Sequence, residues 1–198
     1  MGRAPGYDAD EVIETARDLF WTRGFDDVSV SDVEKATGLS RSSIYHAFGS
    51  MRGLFDAVVQ NYLDAVVRPR LRGLQAEIVA DDALAAYLHG LADAIARRAD
   101  AVGDVTGAPT GCLLVATAVT SLGADGAVRE VIAAYHHELL QAVTAGLRAT
   151  GGQAAADLEQ RARVVAGAVI SANVLARVNA AEAVRLLRAT ADTVAVSV

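Results

Sequence analysis

The sequence predicts an all-α protein of about nine helices, and three observations carry this prediction. Only three prolines occur in 198 residues, whereas alanine, the strongest helix former, is abundant. Apolar residues recur at spacings of three and four along most of the chain, which is the period of a helix with one buried face. With 53% apolar residues and a mean hydropathy of +0.28, the chain can build a large core.

We expect an N-terminal three-helix head that is joined by a long helix to a helical body. The head with this helix spans residues 6–66, and the body spans residues 67–198. No apolar run reaches the roughly 18 residues that a membrane span needs, and no charged-then-apolar leader is present. One cysteine cannot form an internal disulfide, so we expect a cytoplasmic protein with no membrane partner.

The first helix is expected to run from Ala9 to about Arg23, with Asp8 as its cap and Gly24 at its end. Trp21 lies near this end, where we expect it to pack between head and body. The helix buries one apolar stripe, which is formed by Val12, Ile13, Ala16, Leu19 and Phe20.

Residues 29–48 are expected to form two short helices joined by a tight turn. Ser29 can cap the first helix together with Asp32, and Gly38 supplies the positive φ that ends it. Ser40 caps the second helix, whose first turn then presents Arg41, Ser42 and Ser43. In a helix-turn-helix this turn meets base edges, so the pattern predicts a DNA-reading unit.

A tyrosine, a phenylalanine and a glycine follow at fixed spacing in the run SIYHAFGS, residues 43–50, and Leu54 and Phe55 come next. With this run, residues 12–63 resemble the DNA-binding head of the TetR family of bacterial transcriptional regulators. The resemblance implies a homodimeric, sequence-specific repressor that an unknown small-molecule inducer releases from double-stranded operator DNA. It implies no catalytic residue, metal or cofactor.

The predicted DNA contacts are Ser29, Ser31, Arg41, Ser42, Ser43, Tyr45, His46 and Arg52. Tyr45 and His46 match family positions that contact phosphates. The alternatives are a solvated helix end at residues 41–43 and a Tyr45 that packs against the long helix. The family commonly has a lysine where this chain has Met51. The resemblance implies that this lysine is a phosphate contact, which Met51 cannot make. Either Arg52 replaces this contact, or the contact is absent.

Charge supports a rival hypothesis. Residues 1–66 carry six basic and eleven acidic residues, a net charge of −5, which argues against nucleic acid as a partner. Five of these acids lie on the first helix, which can turn them away from a duplex. The alternative is a helical ligand-binding or assembly protein whose head no longer holds DNA. An enzyme is not expected, because no HExxH, P-loop, GxGxxG or GxSxG motif is present.

The long linking helix is expected to begin near Met51 and to kink or stop near Val66, because Pro69 removes a backbone donor and clashes one turn back. The remaining helices are expected from Asp81 or Asp82 to Arg98, Cys112 to Leu122, Ala127 to about Arg148, Ala154 to Ala176, and Ala180 to Val196.

The last two helices carry many small residues, which let helices approach closely. The resemblance implies a homodimer through residues 154–196, and an ordinary intramolecular pair is the alternative. The predicted inner faces contain Leu158, Ala162, Val165, Ala166, Val169, Ala172, Ala176, Val184, Leu187, Ala191 and Val194.

The body is expected to enclose a mostly aliphatic ligand cavity with a few hydroxyl and amide groups. From periodicity, the residues facing it are Tyr62, Tyr87, Leu91, Thr117, Ser121, Tyr135 and Asn173, each of which could instead be plain core. Cys112 has apolar neighbours, which favours an inert thiol over a redox sensor. His136 and His137 point about 100° apart on a helix, so they do not form a metal-ligand pair by themselves.

Overall fold

The computed structural model describes residues 8–101, 109–151 and 155–195. Within these ranges the chain folds into nine helical rods without a β-strand, if α4 and α5, which are continuous through a π-helical turn, are counted as one rod. This confirms the all-α prediction. The helices of the head are α1 (Ala9–Arg23), α2 (Val30–Thr37), α3 (Arg41–Phe48) and α4 (Met51–Tyr62). Those of the body are α5 (Arg68–Leu71), α6 (Ala83–Ala101), α7 (Leu113–Ala118), α8 (Gly126–Ala149), α9 (Ala155–Leu175) and α10 (Ala180–Ala195).

Some predicted boundaries fall outside the described residues, namely 6 and 7 at the start of the head, 102–108 of the expected loop, 154, and 196. Before residues 102–108, α6 continues to Ala101, three residues beyond its predicted end at Arg98. None of the helices in the described ranges combines the length and the apolar character that a membrane span requires.

The helix-turn-helix is built by side-chain caps. The Ser29 hydroxyl accepts a hydrogen bond from the Asp32 amide at 3.2 Å, and the Ser29 amide donates to the Asp32 carboxylate at 2.9 Å. Gly38 ends α2 with a φ of +71°, which a glycine adopts at little cost. Ser40 caps α3 by accepting from the Ser43 amide at 3.3 Å. The predicted capping pattern is therefore present in full.

An aromatic cluster fixes α1 against α4. The ring of Phe55 packs edge-on against Phe20, with centroids 5.3 Å apart, and against Phe25 at 5.1 Å. Val33 of α2 and Ile44 of α3 are fully buried beneath the turn. This core holds the two short helices at a fixed angle to the long one.

The rod that leaves the head contains a π-helical turn. Residues Leu63–Val67 form this turn between α4 and α5, and the Arg68 amide donates to the Leu63 carbonyl five residues back. Pro69, which has no N–H, follows in the first turn of α5. The irregularity expected near Val66 is thus a widened turn. Within it Val67 is buried and Val66 is half-buried.

The predicted helix from Cys112 to Leu122 is shorter than expected. α7 ends at Ala118, and a separate 3₁₀ turn follows at Ser121–Ala124. The Thr120 hydroxyl donates to the Thr117 carbonyl at 2.8 Å, so a side chain takes the bond that another helical turn would have made. Val119 consequently lies 86% exposed.

The small residues of the last two helices pack inside one chain. α10 lies along both α6 and α9, and α9 also packs on α8. The predicted seam between two chains is thus an intramolecular seam, and its buried members are Leu158, Ala162, Val165, Ala166, Val169, Ala172, Ala176, Leu187, Ala191 and Val194. Periodicity did not separate the inner face from the outer one, because α9 carries apolar residues on more than one side.

Candidate DNA-binding surface and central cavity

The first turn of α3 is exposed at the tip of the head. Arg41 and Ser42 are exposed and Ser43 is half-buried. The Ser40 hydroxyl lies 3.0 Å from the Ser42 hydroxyl and 2.9 Å from that of Ser43, so the serines form a local network. The guanidinium of Arg41 lies 5.4 Å from the centre of the Tyr45 ring, one turn along the helix. This end of α3 offers a cation and several hydroxyls to a ligand outside the chain.

Four further predicted DNA contacts, outside the first turn of α3, are exposed or half-buried. Ser31 and His46 are exposed, and Tyr45 is half-buried. Ser29 is exposed, but its hydroxyl also donates to the Asp32 carboxylate at 2.5 Å. Any contact of Ser29 with a phosphate would therefore compete with the cap of α2.

Arg52 does not lie with these residues. Its guanidinium forms ion pairs with Asp56 at 2.8 Å and with Asp125, the cap of α8, at 3.0 Å. The hydrogen bonds that Arg52 donates to these two carboxylates raise its pKa, so its charge is held in this bridge. Arg52 thus joins the head to the body through these two ion pairs.

The acidic residues of the helix-turn-helix are engaged by neighbours. Asp32 pairs with Arg23 at 3.0 Å, and hydrogen bonds from Ser29 and Arg23 hold the pKa of its carboxyl well below the usual range. The Glu34 carboxylate accepts the Arg41 amide at 2.7 Å. Both carboxylates therefore support the two helices, and their repulsion toward a phosphate is partly offset by the groups they bind.

Five of the seven predicted pocket residues meet in one small cavity of the body, which we call the central cavity. They are Tyr62, Tyr87, Leu91, Tyr135 and Asn173, and the wall is completed by Val67, Arg70, Leu71 and Cys112. A second chamber shares Arg70, Leu91 and Asn173 and reaches Arg98 and Gly111. The two volumes are about 20 and 10 Å³, which is room for about one water molecule in the larger.

The other two predicted pocket residues lie elsewhere. Thr117 lines a separate cavity of about 150 Å³ at the junction of head and body, together with Arg52, Phe55 and Val59. Ser121 is exposed, and its hydroxyl contacts both carboxylate oxygens of Asp26 at 3.0 Å. Ser121 is therefore a contact between body and head, and its predicted place in the pocket is corrected.

Three tyrosine side chains face the central cavity in their neutral form. Burial is the main cause that raises the pKa of each phenol, at Tyr62, Tyr87 and Tyr135. The Cys112 thiol lies 3.9 Å from the Tyr135 hydroxyl. The neutral phenols can donate hydrogen bonds to an acceptor in the cavity.

Two arginines line the cavity and its second chamber, and neither was predicted from the sequence as a site residue. Arg70 lines both chambers, and Arg98 lines the second one. The guanidinium of Arg98 also stacks over Trp21 of the head, 4.7 Å from the ring centre. Trp21 in turn packs edge-on against Tyr62, with centroids 4.9 Å apart. The cavity and the end of α1 are thus connected through a chain of direct contacts.

Arg177, which follows α9, is a second link that the sequence did not reveal. It donates to the Trp21 carbonyl at 3.1 Å, to the Thr22 carbonyl at 3.2 Å, and to the Thr110 carbonyl at 3.3 Å. The first two carbonyls belong to the last turn of α1, where a cation is favourable. Arg177 therefore ties the end of α9 to the head.

The paired histidines lie apart from the cavity. His136 and His137 are exposed on α8, and the neighbouring Glu138 accepts a hydrogen bond from Gln75 at 2.8 Å. Within the described part of the chain, no group of three or more His, Cys, Asp or Glu side chains is arranged to hold a metal ion.

Comparisons with known sequences match the region of the helix-turn-helix. Residues 12–58 match the family of bacterial regulatory proteins called tetR. ComR, an HTH-type transcriptional repressor of Escherichia coli K12, is 26% identical over 136 residues, which are 68% of this chain and 61% of ComR. BdcR, another such repressor of that strain, is 37% identical over 81 residues, or 41% of this chain and 39% of BdcR. Each match spans less than two thirds of the relative.

Comparisons with solved structures extend over nearly the whole chain. A cysteine mutant of CifR, a TetR family regulator complexed with 26-bp double-strand operator DNA, is 26% identical with a TM-score of 0.76. That match covers 96% of this chain and 98% of the CifR chain. A TetR family regulator from Agrobacterium tumefaciens, 22% identical over 93% of this chain and 96% of that one, has the same fold with a TM-score of 0.74.

Proposed function

We propose that this chain, which belongs to the tetR family of bacterial regulatory proteins, is a homodimeric cytoplasmic repressor that a small-molecule ligand releases from its operator. The observation that carries the proposal is the exposed first turn of α3, which Ser40 caps and which presents Arg41 beside a hydroxyl network. A capped recognition helix of this kind enters the major groove with its N-terminal residues toward the bases. The similarity to CifR, which was solved in complex with double-strand operator DNA, supports DNA as the partner.

The dimer surface in this proposal is the outer side of α9 and of the turn that follows it. We define the outer stripe as Val164, Gly167, Ser171, Val174 and Val178, which recur at spacings of three and four and are all exposed in the single chain. The valines are 68, 51 and 79% exposed, so a second copy would remove apolar surface from water. Gly167 and Ser171 between them permit close approach of two helices.

The switch in this proposal acts through the continuous helix of α4, the π-helical turn and α5, and through the contacts around Trp21. A ligand releases DNA only if it binds more tightly to a body that holds the heads at the wrong spacing. The central cavity has room for about one water molecule, so any larger ligand must move its walls. Tyr62 and Arg98 are both at the cavity and both touch Trp21, so such movement reaches α1 directly.

A gel-shift titration with the DNA upstream of the chain's own gene tests the core of the proposal. Saturable, sequence-dependent retardation at low salt would support it. Binding no stronger than to random DNA would favour the alternative, a ligand-binding or assembly protein whose acidic head no longer holds DNA. The −5 charge of residues 1–66 and the engagement of Arg52 by Asp125 are the observations behind that alternative.

Arg41→Ala is expected to weaken operator binding by about 1–3 kcal/mol and to weaken binding to random DNA far less. The reason is that an arginine at this turn can reach a base edge, whereas the cap of α3 rests on Ser40 and Glu34 and is retained. Competition gel shifts with both DNAs measure the difference. Arg97→Ala, which removes an exposed arginine of α6, is the matched control. Equal losses on the two DNAs would make Arg41 a phosphate contact.

A further inference from the structure

We propose that the central cavity with its second chamber binds a small organic carboxylate, and that Arg70 and Arg98 supply the counter-charge. This inference rests on the proposed function only in taking the cavity as the ligand site. It adds the chemical class of the ligand, which neither the family nor the relatives specify. Four observations lead to it, namely the charge, the hydrogen-bond donors, the apolar walls and the route to Trp21.

The charge at the cavity is positive, and it comes from Arg70 and Arg98. Arg70 and Arg98 form no ion pair within the described residues, although the chain carries more acidic than basic residues overall. Two of the three cavity-facing phenols, Tyr62 and Tyr87, feel the charge of Arg70. Burial and the neighbouring Arg70 lower the pKa of Arg98. Two half-buried like charges that repel each other are unfavourable, and an anion between them relieves this.

The donors around the two guanidinium groups suit a carboxylate. Tyr62, Tyr87 and Tyr135 are neutral phenols, and among the described residues the Tyr87 hydroxyl has no hydrogen-bond partner. The Asn173 amide nitrogen is already committed to the Val169 carbonyl at 2.9 Å. An arginine fork binds a planar carboxylate through two parallel hydrogen bonds, and phenols can occupy its remaining lone pairs.

The rest of the wall is apolar and close-fitting. Val67, Leu71 and Leu91 line the central cavity, and Ala94, Ile95 and Ala176 line the second chamber. Gly111 forms part of this wall, and a Cβ atom there would lie 2.2 Å from the Asn173 carbonyl oxygen. The site therefore favours a compact apolar body behind the charged end, and it leaves little room for a large polar ligand.

The larger cavity at the head–body junction is a weaker candidate for this ligand. Its cation, Arg52, is already paired with Asp56 and Asp125. An anion there would have to displace two carboxylates, whereas at Arg98 it would compete only with the face of Trp21. Because the same guanidinium contacts the head and the cavity, an anion that draws Arg98 inward would weaken the hold of the body on α1.

The test uses the full-length chain and three carboxylates, each beside its neutral amide: benzoate with benzamide, cyclohexanecarboxylate with cyclohexanecarboxamide, and hexanoate with hexanamide. Calorimetric titration gives the affinities, and Trp21, the single tryptophan, reports on Arg98 through its fluorescence. At least one carboxylate should bind about tenfold or more tightly than its amide and change the emission of Trp21, since a charged hydrogen bond outweighs a neutral one.

Variants assign the preference to the two arginines. Arg70→Gln and Arg98→Gln should each abolish most of the preference for the carboxylate, and Arg70→Lys should retain part of it. Arg72→Gln, at an exposed arginine two residues along, should leave it unchanged. Arg70→Gln should not lower the Tm, because no ion pair is lost. A marked fall in Tm would indicate an internal carboxylate partner and would overturn the proposal.

Three further outcomes would also overturn it: no carboxylate that binds better than its amide, a preference that survives both glutamine variants, or phenyl phosphate preferred over every carboxylate. Gel shifts with the same compounds separate this inference from the proposed function. If a carboxylate binds at Arg70 but does not weaken operator binding, the carboxylate site is supported and the release of DNA by a ligand is refuted. If only a neutral amide releases the DNA, release by a ligand is supported and the preference of the site for a carboxylate is refuted.

Discussion

Val174→Glu is expected to give a folded monomer that binds operator DNA about 10²–10⁴-fold more weakly than the original chain. Val174 is 51% exposed within the outer stripe, so a carboxylate there is solvated in the single chain but would be buried in a dimer. Loss of the second head removes the gain from bivalent binding, which accounts for the magnitude. Sedimentation equilibrium and gel shifts measure the two effects, and circular dichroism checks the fold.

Two variants sharpen this experiment. Val119→Glu makes the same change at an exposed valine outside the stripe and should leave a DNA-binding dimer. Leu187→Glu, by contrast, places the charge in the fully buried seam between α10 and its neighbours. It should unfold the body, because the lost apolar packing alone costs about 2–5 kcal/mol. An original chain that is monomeric at micromolar concentration, or a dimeric Val174→Glu, would refute the assigned surface.

Gly53→Ala is expected to reduce operator affinity at least about tenfold while the body stays intact. A Cβ atom on Gly53 would lie 2.1 Å from the Phe48 carbonyl oxygen, at the junction of α3 and α4. This oxygen belongs to the backbone, so α3 must shift, and such overpacking costs about 1–3 kcal/mol. Hydrogen exchange should show faster exchange of α3 amides, and gel shifts should show the loss of affinity.

Gly90→Ala is the control for this variant. Gly90 lies on an exposed face of α6, and a Cβ atom there would meet nothing within 4 Å. Alanine is the better helix former by up to about 1 kcal/mol, so this variant should be as stable as the original chain or more so. Unchanged DNA binding by Gly53→Ala would mean that the α3–α4 junction adapts, and that the position of α3 is not set by this contact.

Local features of the fold could be predicted because their causes lie within a few residues. Ser29 with Asp32, Gly38 and Ser40 define the helix-turn-helix through bonds that span three or four positions. Five of the seven pocket residues could be predicted from helical period alone, since each lies on the inner stripe of its helix.

Contacts between distant parts of the chain could not be predicted in this way. The partner of Arg52 is Asp125, 73 residues away, and the partner of Ser121 is Asp26, 95 residues away. Neither the number of charged residues nor the spacing of residues along the sequence indicates that these pairs form. The outer stripe could not be predicted for a different reason. The valines on both sides of α9 have the same chemistry, and only the packing of α8 and α10 decides which side is covered.

The π-helical turn at Leu63–Val67 has a consequence for how this cavity could diverge in evolution. Each residue of an α-helix turns the chain by about 100°, so one additional residue changes the phase of everything that follows it. With the wide turn, Val67, Arg70 and Leu71 face the cavity. Loss of one codon in this turn would restore a regular helix and rotate the positively charged wall away. A lineage could thus exchange the chemistry of the site in a single mutational step, without replacing any side chain.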